Sequence, residues 1–201
     1  SYCISSYGTV FKMDAAGNVT VVHTFTSLEG ADSRAALVQD ASGNLYGTTR
    51  GQNRRVCSTA YNCRYRCYQS GCYHFVSGPG TVFKIDTSGA FSVLHTFTAV
   101  EGPESSSVSS STKLGFPPPS PGTGSPGGLI LASDGNLYGT TTGGANHIFR
   151  VSPAGSYETL HSLTAPEGTS ASAGLLQAVD GNFYGPTLSG GAGGVGTIFK
   201  M

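Results

Sequence analysis

Apolar positions fall in short β-like runs separated by turn residues, and the same runs return along the chain in fixed order. GTVFK at Gly8 to Lys12 recurs at Gly80 to Lys84, in degraded form as NHIFR at Asn146 to Arg150, and as GTIFK at Gly196 to Lys200. Each of the first three copies opens a four-part phrase. VVHTFT (Val21 to Thr26), VLHTFT (Val93 to Thr98) and TLHSLT (Thr159 to Thr164) come second. AALVQD (Ala35 to Asp40), GGLILA (Gly127 to Ala132) and AGLLQA (Ala173 to Ala178) come third, and GNLYGTT, GNLYGTT and GNFYGPT, starting at Gly43, Gly135 and Gly181, close the phrase. A recurring order of this kind, with a basic period of 50 residues from Asn146 to Gly196 that insertions lengthen in the first two repeats, marks a repeat architecture.

Turn chemistry separates the runs. Asp14 to Gly17 and Asp86 to Gly89 offer an Asx-type start and a glycine able to take positive φ, while Ser42-Gly-Asn44, Asp134-Gly-Asn136 and Asp180-Gly-Asn182 read as tight hairpin turns. Four hairpin-linked strands, repeated, predict an all-β chain of β-propeller-type four-stranded blades. The predicted layout is blade 1 at 8–49, an insertion at 50–79, blade 2 at 80–141 with a Ser/Pro-rich insertion at 103–126, blade 3 at 146–187, and an extra strand at 196–201. Closed propellers use about 4 to 8 blades, so three repeats plus one strand leave open edges. Two expectations follow for Gly196, Thr197, Ile198, Phe199, Lys200 and Met201. They open a further blade of a longer protein, or they are donated to another chain by strand exchange.

The succession GTVFK, turn, VLHTF, GGLI, DGNLYGTT resembles the GloVer tandem repeat of secreted or surface-anchored bacterial proteins with variable anchors. The resemblance covers the chain apart from its two insertions. It implies a propeller-like repeat protein outside the cell and brings no catalytic motif with it.

Charge adds little to this picture. The 201 residues carry 11 Lys+Arg and 11 Asp+Glu, so no global field draws the chain to nucleic acid. Charged residues are 11% and glycines number 30, a composition between globular and low-complexity sequence that speaks against a helical bundle. No run approaches the roughly 20 apolar residues of a membrane span. Five cysteines suit an oxidising compartment, and with the first residue Ser1 rather than Met they suggest an extracellular or cell-surface protein whose leader lies outside this sequence.

Four of those cysteines, Cys57, Cys63, Cys67 and Cys72, crowd the first insertion, with Cys3 as the odd one. Two disulfides stapling a loop are the plain expectation, and a zinc shell is the alternative, although the spacings lack paired CxxC knuckles. Arg54, Arg55, Arg64 and Arg66 interleave with Tyr61, Tyr65 and Tyr68, a pattern suited to an anionic glycan through bidentate donors and stacking rings. In the second insertion Ser105, Ser106, Ser107, Ser109, Ser110, Ser111 and Thr112 form a Ser/Thr/Pro stretch fit for O-glycosylation. Asn18-Val-Thr20 is formally an N-glycosylation sequon.

His23, His95 and His161 occupy one repeat position, which makes them repeat architecture before it makes them catalysts or a metal-binding ring. His147 and His74 show no evident partner. Neither GxSxG nor HExxH occurs, and the recurring Asp134 and Asp180 are explained as turn makers. No metal or cofactor is expected. The functional expectation is a non-enzymatic structural or assembly protein acting through self-association. A carbohydrate-binding propeller is the alternative, and an enzyme of unknown activity the third reading.

Overall fold

A computed structural model describes residues 7–26, 28–30, 33, 35–57, 73–78, 80–98, 128–141, 146–171 and 173–201, with the backbone alone for 52–57 and 73–78. All the regular elements among them are strands: β1 (Thr9–Met13), β2 (Val19–Thr24), β3 (Val38–Gln39), β4 (Leu45–Thr49), β5 (Gln52–Cys57), β6 (Tyr73–Gly78), β7 (Thr81–Ile85) and β8 (Phe91–Thr96). They continue as β9 (Ile130–Leu131), β10 (Leu137–Thr140), β11 (His147–Val151), β12 (Tyr157–Ser162), β13 (Leu176–Gln177), β14 (Phe183–Pro186) and β15 (Ile198–Lys200). The fold is all-β and propeller-type, as the repeats predict. No helix of the described residues is long and apolar enough to cross a membrane.

The blades are phased differently from the sequence phrase. β3-β4-β7-β8 and β9-β10-β11-β12 are the four-stranded sheets, β1-β2 precede them, β13-β14-β15 follow, and β5-β6 form a separate hairpin. GTVFK and VLHTFT therefore supply the third and fourth strands of a sheet whose first two strands come from the end of the preceding phrase. A cyclic repeat has no unique starting point in sequence; hydrogen bonding chooses it, and the boundaries drawn at 80 and 146 fall inside sheets.

Local chemistry sets the strand pairs. Asp14 Oδ1 accepts from the amides of Ala16 and Asn18, both at 2.9 Å, and Asp86 Oδ1 accepts likewise from Ser88 and Ala90. Gly17 and Gly89 complete these turns at φ 88°. A bulge recurs at Val10/Phe11, Val82/Phe83 and Ile148/Phe149, bending the third strand against the fourth at the same place in each sheet. The glycine inside each LYG or FYG run lies opposite a phenylalanine: Gly47 faces Phe83, Gly139 faces Phe149, Gly185 faces Phe199. A methyl group on Gly139 would come within 2.6 Å of Phe149 Cζ. Glycine is used there so that a ring can lie flat over the neighbouring backbone.

Three apolar clusters alternate with the four successive sheets. Val10, Phe25, Phe83 and Ile85 fill the first; Tyr46, Val82, Leu137 and Phe149 belong to the second; Tyr138, Ile148, Leu175 and Phe183 belong to the third. Each sheet thus buries both faces when it has neighbours on both sides.

Candidate functional site

The loops following β2 and β12 are built around His23 and His161. His23 Nε2 lies 3.2 Å from Glu29 Oε2, which also accepts from the Thr26 amide at 2.7 Å. His161 Nε2 lies 3.1 Å from both oxygens of Glu167, whose Oε2 accepts from the Thr164 amide and hydroxyl, each at 2.8 Å. These bonds stabilise the carboxylates. For Glu167 the Thr164 amide is the main cause, followed by the Thr164 hydroxyl and His161, and together they hold it at about 2. Burial pushes Glu29 up, but the Thr26 and His23 hydrogen bonds outweigh it and leave this carboxyl below its usual value.

The same loop reaches the next sheet. Glu29 O accepts from Thr49 Oγ1 at 2.7 Å and from Thr81 Oγ1 at 2.8 Å, and the two hydroxyls are 2.7 Å apart. In the last sheet Glu167 O accepts from Thr197 Oγ1, which lies 3.0 Å from Thr187 Oγ1. His147 stands where the other copies have threonine, and its Nδ1 lies 2.8 Å from Ser162 Oγ, a partner not visible in the sequence.

His23 and His95 also turn a ring face toward the sheet that follows. His23 stacks on Phe91 with centroids 3.8 Å apart and planes 3° from parallel, and His95 stacks on Tyr157 at 3.8 Å and 6°. Both aromatic residues begin the fourth strand of the following sheet. Among the described residues no ring stacks on His161. The side chain of His161 is 44% exposed against 18% for His23. A cleft of about 430 Å³ opens there, lined by His161, Glu167, Thr197, Phe199, Lys200 and Met201 among others. Ile198 in β15 is 81% exposed, whereas its counterparts Val82 and Ile148 are 0% and 1% exposed beneath β8 and β12.

A second recurring group sits at the turn between the first two strands. Tyr46, Tyr138 and Tyr184 each donate their hydroxyl to a nearby aspartate, Asp40, Asp134 and Asp180, at 2.9, 2.8 and 3.1 Å. Asp40 lies two residues earlier than its counterparts, where Ala132 and Ala178 stand in the other repeats, yet its carboxylate serves the same tyrosine. The side-chain bond from Asn44 holds Asp40 at about 2, while burial and then the bond to Asp40 push Tyr46 up to about 12. Lys200 Nζ lies 5.8 Å from the Tyr184 ring and 3.8 Å from Asp180 Oδ2, beside the cleft.

His23 and His161 are thus loop staples, His23 and His95 are inter-sheet stacking partners, and the three lie in three different sheets. Among the described residues no three of His, Cys, Asp and Glu are grouped so as to hold a metal ion. Cys3, Cys63, Cys67, Cys72, Tyr61, Tyr65, Tyr68, Arg64, Arg66 and the run Ser105 to Thr112 lie outside the described residues. Arg54, Arg55 and Cys57 lie in β5, and His74 lies in β6. Asn18 Nδ2 donates to Asp14 Oδ2 at 2.9 Å, so the sequon amide belongs to the turn. The sequence reading missed Glu29 and Glu167, six residues after His23 and His161, and missed the aromatic residues Phe91 and Tyr157. Both signals are present in the repeat alignment.

Gly196 to Met201 is not a free donor strand. β15 pairs with β14, Met201 N donating to Phe183 O and Phe183 N to Met201 O, both at 2.9 Å, and Thr187 N donating to Thr197 O at 2.8 Å. No family profile matches the chain, and none of the curated proteins matches it. One of the solved structures that match is provisionally described as a gluconolactonase, at 14% identity and a TM-score of 0.44, over 90% of this chain and 51% of that one. The chain therefore spans about half the length of that structure. The neighbour bears an enzyme's description, against the expectation of a non-enzymatic structural or assembly protein, and that expectation is withdrawn. A likeness at this level carries no lactone chemistry over to these residues.

Proposed function

We propose that this chain is a binding module on a propeller-type scaffold, with its ligand seat in the cleft beside β15. One observation carries the reading: the His161 imidazole, 44% exposed, lines a cleft together with Thr197, Phe199 and Lys200 while its own loop holds it in place. The Glu167 bond and the Thr164 cap hold that imidazole in place, so a planar group meets an already oriented surface. Ile148, Leu163, Phe199 and Met201 supply an apolar floor, and Thr197 and Lys200 supply polar atoms at the margin. The resemblance to GloVer repeats and the crowded cysteines support an extracellular or cell-surface setting for this module.

Titration with 4-methylphenol, followed through the imidazole resonances by NMR, tests the seat. The His161 signals are expected to move saturably while those of His23 and His95 stay in place. Equal displacement of all three, or none, ends this reading.

A further inference from the structure

We propose that the bond between Asp134 and Gly135 is a self-modification site, able to isomerise through a cyclic imide, and that the Tyr138 hydroxyl is the guard that keeps it shut in the folded protein. The chemistry needs only these two residues and water. The Gly135 nitrogen attacks Asp134 Cγ and a C–N bond forms, while the nitrogen loses its proton and the carboxyl hydroxyl leaves as water. Water then opens the ring at the former main-chain carbonyl of Asp134, breaking its bond to the Gly135 nitrogen. The chain is left running through the Asp134 side chain, as isoaspartate. One water is lost and one regained, and nothing is oxidised or reduced. Glycine suits the attack because no side chain crowds its nitrogen.

The turn between β9 and β10 sets the reacting groups side by side and occupies each of them. Gly135, at φ 79°, donates its amide to Ala132 O at 2.9 Å. Asp134 Oδ1 accepts from the Asn136 amide at 3.0 Å, and Oδ2 accepts from Asn136 Nδ2 and from the Tyr138 hydroxyl, both at 2.8 Å. A carboxyl held by three donors stays ionised, and a carboxylate has no hydroxyl to release. Burial pushes the Asp134 pKa up, but the Asn136 and Tyr138 hydrogen bonds outweigh it and leave this carboxyl below its usual value. The Asn136 donors move with the turn. Tyr138 does not: it is 7% exposed, and its ring stacks on Phe183 of the next sheet with centroids 4.3 Å apart. The core therefore sets where the guarding hydroxyl stands. Asp180 and Gly181 repeat the arrangement, with the Tyr184 hydroxyl 3.1 Å from Asp180 Oδ2. The first repeat has no such bond, because Ser42 precedes Gly43 and Ala41 follows Asp40.

The test incubates the intact chain in neutral water enriched in the heavy oxygen isotope and reads uptake at Asp134 and Asp180 by mass spectrometry after digestion. Each opening of the imide adds one heavy oxygen. Uptake at Asp134 in the folded wild type is expected to be slower than in the free synthetic peptide ILASDGNLYGT, which has the sequence of Ile130 to Thr140. Tyr138→Phe keeps the stacked ring and removes the hydroxyl. It is expected to raise uptake at Asp134 about tenfold, the effect on a barrier of one hydrogen bond to a charged group, with isoaspartate accumulating at that position. Asp180, which has its own tyrosine, is expected to stay at the wild-type rate in this variant. Wild-type uptake at Asp134 as fast as in the free peptide overturns the proposal, and so does a Tyr138→Phe rate equal to wild type. A parallel rise at Asp134 and Asp180 assigns the effect to a loosened fold and overturns the guarding role of the hydroxyl as well.

Discussion

The imidazole of His95, on the fourth strand of one sheet, lies 3.8 Å from the ring of Tyr157, on the fourth strand of the next, with the two planes 6° from parallel. Tyr157 also stands near Phe97 and Phe149, so one ring joins the stack to the second core cluster. Tyr157→Ala is expected to cost about 2 to 3 kcal/mol through lost burial and stacking. Tyr157→Phe keeps the ring and loses the 3.1 Å contact of its hydroxyl with Thr159, so it is expected within about 0.5 kcal/mol of wild type. Urea unfolding of the two variants checks the difference. Equal losses would show that the hydroxyl, and not the stacked ring, joins the sheets.

Gly139 has no room for a side chain. A Cβ there meets Phe149 Cζ at 2.6 Å and Leu129 Cδ2 at 3.1 Å, and Phe149 is fully buried. Gly139→Ala is expected to destabilise by about 1 to 3 kcal/mol, as overpacking does. Adding Phe149→Leu should recover part of that loss if ring contact is the cause. At Gly17 the space is open and only the positive φ of 88° resists a side chain, so Gly17→Ala is expected to cost about 1 kcal/mol with no core partner able to relieve it. Chemical denaturation of the three variants separates the two mechanisms.

The strands themselves were legible in the sequence, because GTVFK, VLHTF and GNLYGTT each carry apolar positions at strand spacing between recognisable turns. The phase of the blades was not. A repeat read cyclically is consistent with any starting strand, and the choice depends on long-range pairing such as Gly47 with Phe83 across an insertion. Asp40 escaped because alignment by position set Ser42 against Asp134 and Asp180. A carboxylate two residues upstream reaches the same tyrosine hydroxyl, and side-chain reach is invisible to register. The candidate seat escaped for a different reason. His161 is indistinguishable from His23 and His95 in sequence, and what sets it apart is its 44% exposed side chain in the wall of the cleft.

Tyr46 is buried beside Asp40, and burial together with that hydrogen bond raises its pKa to about 12. A raised pKa favours the protonated phenol in the folded state. The resulting stability is present below the usual value of about 10 and is lost as pH rises through 12. Spectrophotometric titration should show a late component, with alkaline unfolding, to which Tyr46 contributes together with Tyr138, whose pKa burial and the bond to Asp134 also raise. In Tyr46→Phe the late component should shrink by one tyrosine and leave the remaining titration unchanged. Its persistence at full amplitude would reassign the late ionisation to other tyrosines.

Glu167 sets the acid limit at the candidate seat. Its carboxylate accepts from the Thr164 amide and hydroxyl and pairs with His161, and these bonds hold its pKa at about 2. A carboxyl depressed in the folded state binds protons more weakly there than in the unfolded chain. Its contribution is complete above the usual value of about 4.3 and is lost as pH falls through 2. The thermal midpoint of wild type is therefore expected to fall between about pH 4 and pH 2, and part of that slope should disappear in Glu167→Gln, whose amide oxygen can still accept from Thr164. Asp40, also held at about 2 but in a different sheet, should contribute a further part of the residual slope that Asp40→Asn reduces, the rest coming from other depressed carboxyls such as Asp14, Asp86 and Asp180. If the Gln variant loses stability over this range as steeply as wild type, the Thr164 cap on Glu167 is not what ties the seat loop down in acid, and the orientation of His161 must come from its packing alone.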